Sequence, residues 1–256
     1  MHRKPNIKTL FFCLAMIGLK AWGQYPTVRE RITNLPVFDD RFLHYGYFLG
    51  VNQYDFKFQY VDDFYKANQE YTERTDIIVE QSTGFQVGLI GDMRLASFAN
   101  LRIEPGLYYN QRNLVYPENF GLDEETDRFR EVKSTNIRLP LVLKLSAKRI
   151  NNFRPFVLVG AAMEFDLSSN EKNRDDNTSG IFRTTAQNLT YELGFGFDFY
   201  LFYFKFSPSI RGIFMINDQL VQDTQPNGAP NNWRSPWTGW LKQMQTRGIV
   251  LTLTFE

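Results

Sequence analysis

From Asn188 to Leu201 apolar side chains hold the odd positions (Leu189, Tyr191, Leu193, Phe195, Phe197, Phe199 and Leu201). Thr190, Glu192, Gly194, Gly196, Asp198 and Tyr200 hold the even ones. Such strict alternation is a strand whose two faces meet different surroundings. Strands of globular proteins run about 5 to 6 residues, whereas a tilted strand crossing a bilayer needs roughly 9 to 11. The length and the one-sided aromatics predict a lipid-facing outer wall and a polar, filled interior.

Seven other segments repeat the pattern. The first, from Tyr45 through Phe58, sets Tyr45, Tyr47, Leu49 and Val51 against Gly46, Phe48, Gly50 and Asn52. Gly84 to Leu95 places Phe85, Val87, Leu89, Met93 and Leu95 outward and Gln86, Asp92 and Arg94 inward. Leu101 to Leu114 has Leu101, Ile103, Leu107 and Tyr109 outside and Arg102, Glu104 and Asn110 inside. Thr135 to Ser146 opposes Ile137, Leu139, Leu141, Leu143 and Leu145 to Arg138 and Lys144. Phe153 to Leu167 turns Arg154, Glu164 and Asp166 inward; Phe204 to Ile216 does so with Lys205, Ser207, Ser209 and Arg211. Thr246 to Phe255 carries Ile249, Leu251, Leu253 and Phe255 on one face.

The connections give an independent check. Ala96–Asn100, Ala147–Asn152 and Phe202–Tyr203 are short, while 59–83, 115–134, 168–187 and 217–245 are long, and the two kinds alternate without exception. Even strand number, short periplasmic turns and long outer loops are the habit of bacterial outer-membrane barrels. The fold class expected is all-β: an eight-stranded antiparallel transmembrane β-barrel over residues 45–256, with both mature termini periplasmic. Residues 24–44 are a polar periplasmic lead-in.

The first 23 residues read as an export signal: a basic stretch with Arg3, Lys4 and Lys8, an apolar Leu10–Leu19 run, and Ala21-Trp22-Gly23 before the cleavage point. With Lys20, these hold four of the cations behind the formal charge of +1, so the remainder carries −3. No basic patch points to nucleic acid. Cys13, the only cysteine, leaves with the signal, so the mature chain has no thiol chemistry. The 24 Phe, 13 Tyr and 17 Gly suit a single β unit.

The inward residues combine Arg94, Arg102, Arg138, Lys144, Arg154, Lys205 and Arg211 with Asp92, Glu104, Glu164, Asp166, Glu192 and Asp198. An eight-stranded barrel is only wide enough for its side chains to fill, and buried charges must be paired. The near-balance predicts an ion-paired plug; a charged conduit or a catalytic carboxylate pair is the functional alternative.

No enzyme is expected. The two histidines are His2 in the signal and His44 before the first strand, so no histidine-based acid–base or metal arrangement fits the outer loops. No catalytic, cofactor or metal residue is assigned, and no small-molecule substrate is expected. Carboxylates crowd two loops: Asp62, Asp63, Glu70, Glu73, Asp76 and Glu80, then Glu118, Asp123, Glu124, Glu125, Asp127 and Glu131. They offer calcium ligands in a spacing that matches no loop motif; a solvated acidic face is the simpler account. In the last outer loop Trp233, Trp237 and Trp240 lie among Pro226, Pro230 and Pro236. They are either interface-seeking girdle aromatics or a protein-docking surface.

Thr246, Gly248, Leu251, Leu253 and Phe255 fit the polar-x-Gly-x-x-hydrophobic-x-hydrophobic pattern of final barrel strands, with Glu256 standing past the usual last aromatic. Asn34-Leu35-Pro36-x-Phe38-Asp39, followed by His44-Tyr45-Gly46-x-Phe48-Leu49-Gly50-Val51-Asn52, resembles the start of the PorT family, called SprT in gliding bacteria. The likeness is specific over roughly Asn34 to Phe58. It implies an outer-membrane component of type IX protein secretion, in some members supporting gliding, with no catalytic residues to carry over. The implied partners are other secretion or outer-membrane proteins and outer-membrane lipid. Contact candidates are Asn34, Leu35, Pro36, Phe38 and Asp39 on the periplasmic side, where the alternative is a tether capping the barrel mouth, and the three loop tryptophans.

Overall fold

The computed structural model describes residues 33–67, 76–122, 127–173 and 177–256. The export signal, the lead-in up to residue 32 and several loop carboxylates (Glu70, Glu73, Asp123, Glu124, Glu125) lie outside the described residues. Within them the alternating segments form ten strands: β1 (Leu43–Tyr60), β2 (Ile78–Gln81), β3 (Thr83–Ala96), β4 (Ala99–Ile103), β5 (Gly106–Val115), β6 (Phe129–Ser146), β7 (Phe153–Asp166), β8 (Gln187–Tyr200), β9 (Lys205–Met215) and β10 (Leu241–Phe255). No helix among the described residues is long and apolar enough to cross a membrane.

Every pairing is antiparallel, and β1 pairs on one side with β10 and on the other with β3. From β10 the order runs through β9, β8, β7 and β6 to β4 and β5, which both pair with β3. The sheet is thus a ring of eight staves, the arrangement that leaves no edge for lipid to meet. β4 and β5 are two halves of the single expected stave Leu101–Leu114. It breaks at Pro105, which has no N–H to give. The ladder is bridged there: the Pro105 carbonyl accepts from Leu89 N at 2.9 Å, and Glu104 N donates to the Pro140 carbonyl at 3.2 Å.

Outside, the wall changes chemistry sharply along each stave. On β1, Tyr45, Tyr47, Leu49 and Val51 are exposed, and the next outward positions are Gln53, Asp55, Lys57 and Gln59. On β6 the run from Leu145 back to Ile137 gives way to Lys133 and Glu131. On β10 Leu251 and Ile249 are followed by Arg247, which pairs with Asp55 at 2.8 Å. The apolar band runs from Leu43 to Val51 on β1 and from Ile137 to Leu145 on β6, close to the roughly 9 to 11 residues that a tilted strand needs to cross hydrocarbon. Stacked aromatics mark both margins: Tyr47 on Phe255 and Phe153 on Phe197 toward the short turns, Phe85 on Tyr109 and Tyr191 on Phe214 toward the long loops.

The strands outrun the expected limits at the long-loop end. β6 starts at Phe129 instead of Thr135, and β10 at Leu241 instead of Thr246. Above the band both faces carry polar residues, so the one-sided alternation that marks a lipid-facing strand is lost while the ladder continues. The first long loop is not irregular throughout: it holds a one-turn helix, Phe64–Ala67, and β2, which pairs with β5. Inside the wall, glycines make room for rings: a Cβ on Gly88 or Gly106 would come within 2.7 Å of the Phe48 ring.

The band predicts position-dependent tolerance of charge. Leu141→Arg, at mid-band, should destabilise the inserted barrel by about 2–4 kcal/mol, and Gln53→Arg by about 0–1. Urea unfolding in liposomes, followed by heat-modifiable gel mobility, checks this; equal effects at the two positions would remove the band.

Candidate functional site

The interior is built from the even-parity side chains of nearly every stave. On β6, Arg138 reaches Glu164 on β7 at 2.5 Å and Glu192 on β8 at 3.3 Å. Glu192 also meets Arg211 on β9 at 3.1 Å, and Arg211 reaches Glu104 at 2.5 Å. Glu104 lies 3.7 Å from Arg102, which is held by Asp92 at 2.5 Å and by Glu256 at 3.0 Å; Glu256 in turn meets Lys205 at 2.7 Å. Opposite charges thus alternate in an unbroken chain from Glu164 to Lys205, every charged side chain in it buried. Lys144 and Asp198 form a separate pair at 2.7 Å, and Asp198 also accepts from the Ser207 hydroxyl.

Five positions differ from the sequence expectation. Arg94 is at the rim, paired at 3.3 Å with the exposed Asp40, and is no member of the interior chain. Arg154 is also at the mouth, donating to the Ala147 and Ser97 carbonyls at 2.9 and 2.6 Å. Asp166 faces inward but accepts from Ser168 N at 2.9 Å and has no ion pair among the described residues. Glu256, read as one residue past the barrel signature, is a central acceptor. Its parity with Thr252 and Thr254 was the available signal. Arg112 was also missed, although it shares the parity of Asn110. It is buried, stacks over Phe56 at 3.8 Å, and donates to Thr246 and Ser134 at 2.9 and 3.0 Å.

The short-turn mouth is closed by the segment on which the family resemblance rests. Asn34 N donates to Asn152 Oδ1 at 2.8 Å and Asn34 Nδ2 to the Tyr200 carbonyl at 2.9 Å. Leu35 adopts a left-handed backbone (φ 48°), turning the chain across the opening, and Arg149 holds the Asn34 and Leu35 carbonyls. In the 3-10 turn Phe38–Asp40, the Asp39 carboxylate accepts from the Tyr200 hydroxyl at 2.7 Å and faces Arg149 and Arg154 at 3.4 and 3.5 Å. Phe38 stacks on His44 with centroids 4.4 Å apart, its carbonyl 2.7 Å from His44 Nε2, and Lys205 Nζ stands 4.7 Å over its ring. Beneath this cover a void of about 10 Å³ lies among Asp39, Arg94, Lys144, Arg154, Asp198 and Lys205, no larger than one water molecule needs.

At the opposite end the long loops fold over a core of their own, with Phe56, Phe64, Tyr116, Phe120, Leu241 and Met244 among its members. Trp237 belongs to it at 7% exposure, its indole N–H on the Asp127 carbonyl at 2.9 Å and Arg130 4.9 Å over its ring. It is therefore neither a girdle aromatic nor an exposed docking residue. Trp240 packs against the same core beside Phe64, under Arg234; Trp233 is half-buried. Tyr116 is so enclosed that burial pushes its hydroxyl above the usual tyrosine range. Asp223 ties this cap together, accepting from the Thr238 hydroxyl at 2.9 Å and Asn177 Nδ2 at 3.1 Å. Among the described residues no group of three or more His, Cys, Asp or Glu is placed to hold a metal.

Residues 24–219 match the model of a family described as the outer membrane protein beta-barrel domain. The chain belongs to that family. This outer membrane barrel resembles solved structures of low identity: Neisserial surface protein A (NspA), 6% identical over 81% of this chain and 95% of that one, TM-score 0.40; OprG from Pseudomonas aeruginosa, 14% over 83% and 92%, TM-score 0.38; and Ail of Yersinia pestis, solved with the heparin analogue sucrose octasulfate, 10% over 82% and 96%, TM-score 0.34. No curated protein matches the chain.

The charge chain sets an order of sensitivity inside the barrel. Glu256→Gln leaves Lys205 and Arg102 short of a buried partner and should cost about 3–5 kcal/mol, nearer the lower figure because Arg102 keeps Asp92. Arg94→Gln, at the wet rim, should cost about 0–1 kcal/mol. Denaturant midpoints of the two variants check this, and a Glu256→Gln barrel as stable as the parent would show that Glu256 is dispensable to the network.

Proposed function

We propose that this barrel is a non-enzymatic accessory of type IX protein secretion that acts by protein contact at its short-turn mouth, with that mouth facing the periplasm. The observation that carries this reading is the mouth itself. The residues of the PorT resemblance, Asn34 to Asp39, are the ones laid across it, held by Asn152, Tyr200, Arg149 and Arg154. The interior behind them is filled by paired side chains, and passage of a polypeptide needs barrels of far more strands. A role in export therefore has to run through surfaces.

In this reading the Asn34–Asp39 segment is both cover and contact. It presents a pre-ordered surface on the periplasmic face, where another secretion protein meets it. Support of gliding would follow from the same contact. The competing reading is an adhesive or structural barrel working through its long loops, favoured by the loop cap, which has a core of its own.

The test is a chromosomal deletion of residues 24–40. The truncated barrel should still insert and show heat-modifiable mobility, while cargo secretion is lost. Normal secretion from an inserted truncation would discard the mouth as the contact. Normal secretion from a strain lacking the whole protein would favour the adhesive reading.

A further inference from the structure

We infer that the notch beside the short-turn mouth binds the phosphate group of a membrane phospholipid. The inference uses the periplasmic orientation proposed above, which puts this end in the phospholipid leaflet, and is independent of the secretion role. The notch is a half-open cavity of about 550 Å³ between the mouth segment and the start of β1, with Leu35, Val37, Arg41, Leu43, Tyr45 and Tyr203 in its lining.

Charge selects the ligand. Each acidic side chain near the notch already has a cation: Asp39 faces Arg149 and Arg154, Asp40 pairs with Arg94, and the Glu256 side chain, itself in the lining, is neutralised by Arg102 and Lys205. Arg41 is exposed and makes no ion pair among the described residues. Its place is fixed by the turn, through its backbone N–H on the Phe38 carbonyl at 3.3 Å. A guanidinium with all its donors available is suited to two parallel hydrogen bonds to phosphate oxygens.

Position selects the source of the phosphate. Leu43 and Tyr45 are at once lining residues of the notch and the first outward residues of the apolar wall, so an acyl chain lying along β1 leads directly into it. Tyr45 is 72% and Tyr203 93% exposed, and Phe42 beside them is 66% exposed. Rings so uncovered suit the headgroup level of a bilayer. A phosphate-bearing peptide would have no use for that continuity, and a free phosphate none for the apolar lining.

The experiment uses the full mature chain folded in detergent and native mass spectrometry with equimolar phosphatidylglycerol, phosphatidylethanolamine and diacylglycerol of the same acyl chains. Both phosphate lipids should be retained and diacylglycerol should not. Arg41→Gln should cut retention about tenfold, the loss of a charge-assisted bond pair, while Arg247→Gln, at the far margin, leaves it unchanged. Equal retention of diacylglycerol, or unaltered retention by Arg41→Gln, overturns the inference. Equally tight binding of glycerol phosphate without acyl chains overturns the lipid assignment. Gel mobility confirms that each variant is folded. Orientation is read separately: since the mature chain has no cysteine, Lys148→Cys should react with an impermeant maleimide only after the outer membrane is breached. A failed orientation and a failed lipid site are therefore distinguishable.

Discussion

Hydrocarbon supplies no partner to a backbone N–H or C=O, and the rest of the molecule follows from that single demand. It is met here when β1 finds both β3 and β10. Once the sheet is a ring, one face of every stave is forced inward into a space with little room for water. Polar side chains of that face must then satisfy one another. The alternating chain from Glu164 to Lys205 is the answer reached: each of its arginines is shared between carboxylates on different staves, so neutralisation and cross-bracing are achieved by the same contacts. Such pairs are weak evidence of net stability, because desolvation offsets much of their attraction. Their evident effect is specificity, since a slip of register would leave a charge unpartnered.

The lipid-facing half of this design was readable from the sequence because its signal is local. Leu189 to Leu201 alternates without regard to any distant residue, and period two alone assigns each side chain to a face. What was not readable depended on partners far away or on a change of solvent. Residues Phe129 to Ser134 continue β6 beyond the membrane, where the outward positions turn polar and the alternation no longer advertises a strand. Pro105 interrupts a stave whose apolar pattern runs through it unbroken. Arg94 has the parity of an interior residue, yet it sits where the wall ends and solvent begins. Trp237 lies in a proline-rich loop and looked like a surface residue, because the core that buries it is assembled from several separate loops.

The mouth shows how one segment can serve two readings. Its polar groups are spent on the barrel: Asn34 on the β7 and β8 ends, Asp39 on a tyrosine hydroxyl and two arginines, Phe38 on a stack with His44. Its apolar flank, with Val37 and the adjoining Phe42, remains outside. Under the proposed role, cover and contact would be different faces of the same few residues, and rigidity of the first would help the second, since a pre-ordered surface loses less freedom on association.

Glu256 gives the network a property that none of its other members has. Of its two cations, Arg102 already has Asp92 at 2.5 Å, whereas Lys205, on the preceding stave, has no other ion-pair partner among the described residues and gains one only when β10 is in place. A wall lacking β10 would leave Lys205 without its ion-pair partner as well as two unpaired edges, so closure of the ring satisfies backbone and charge together.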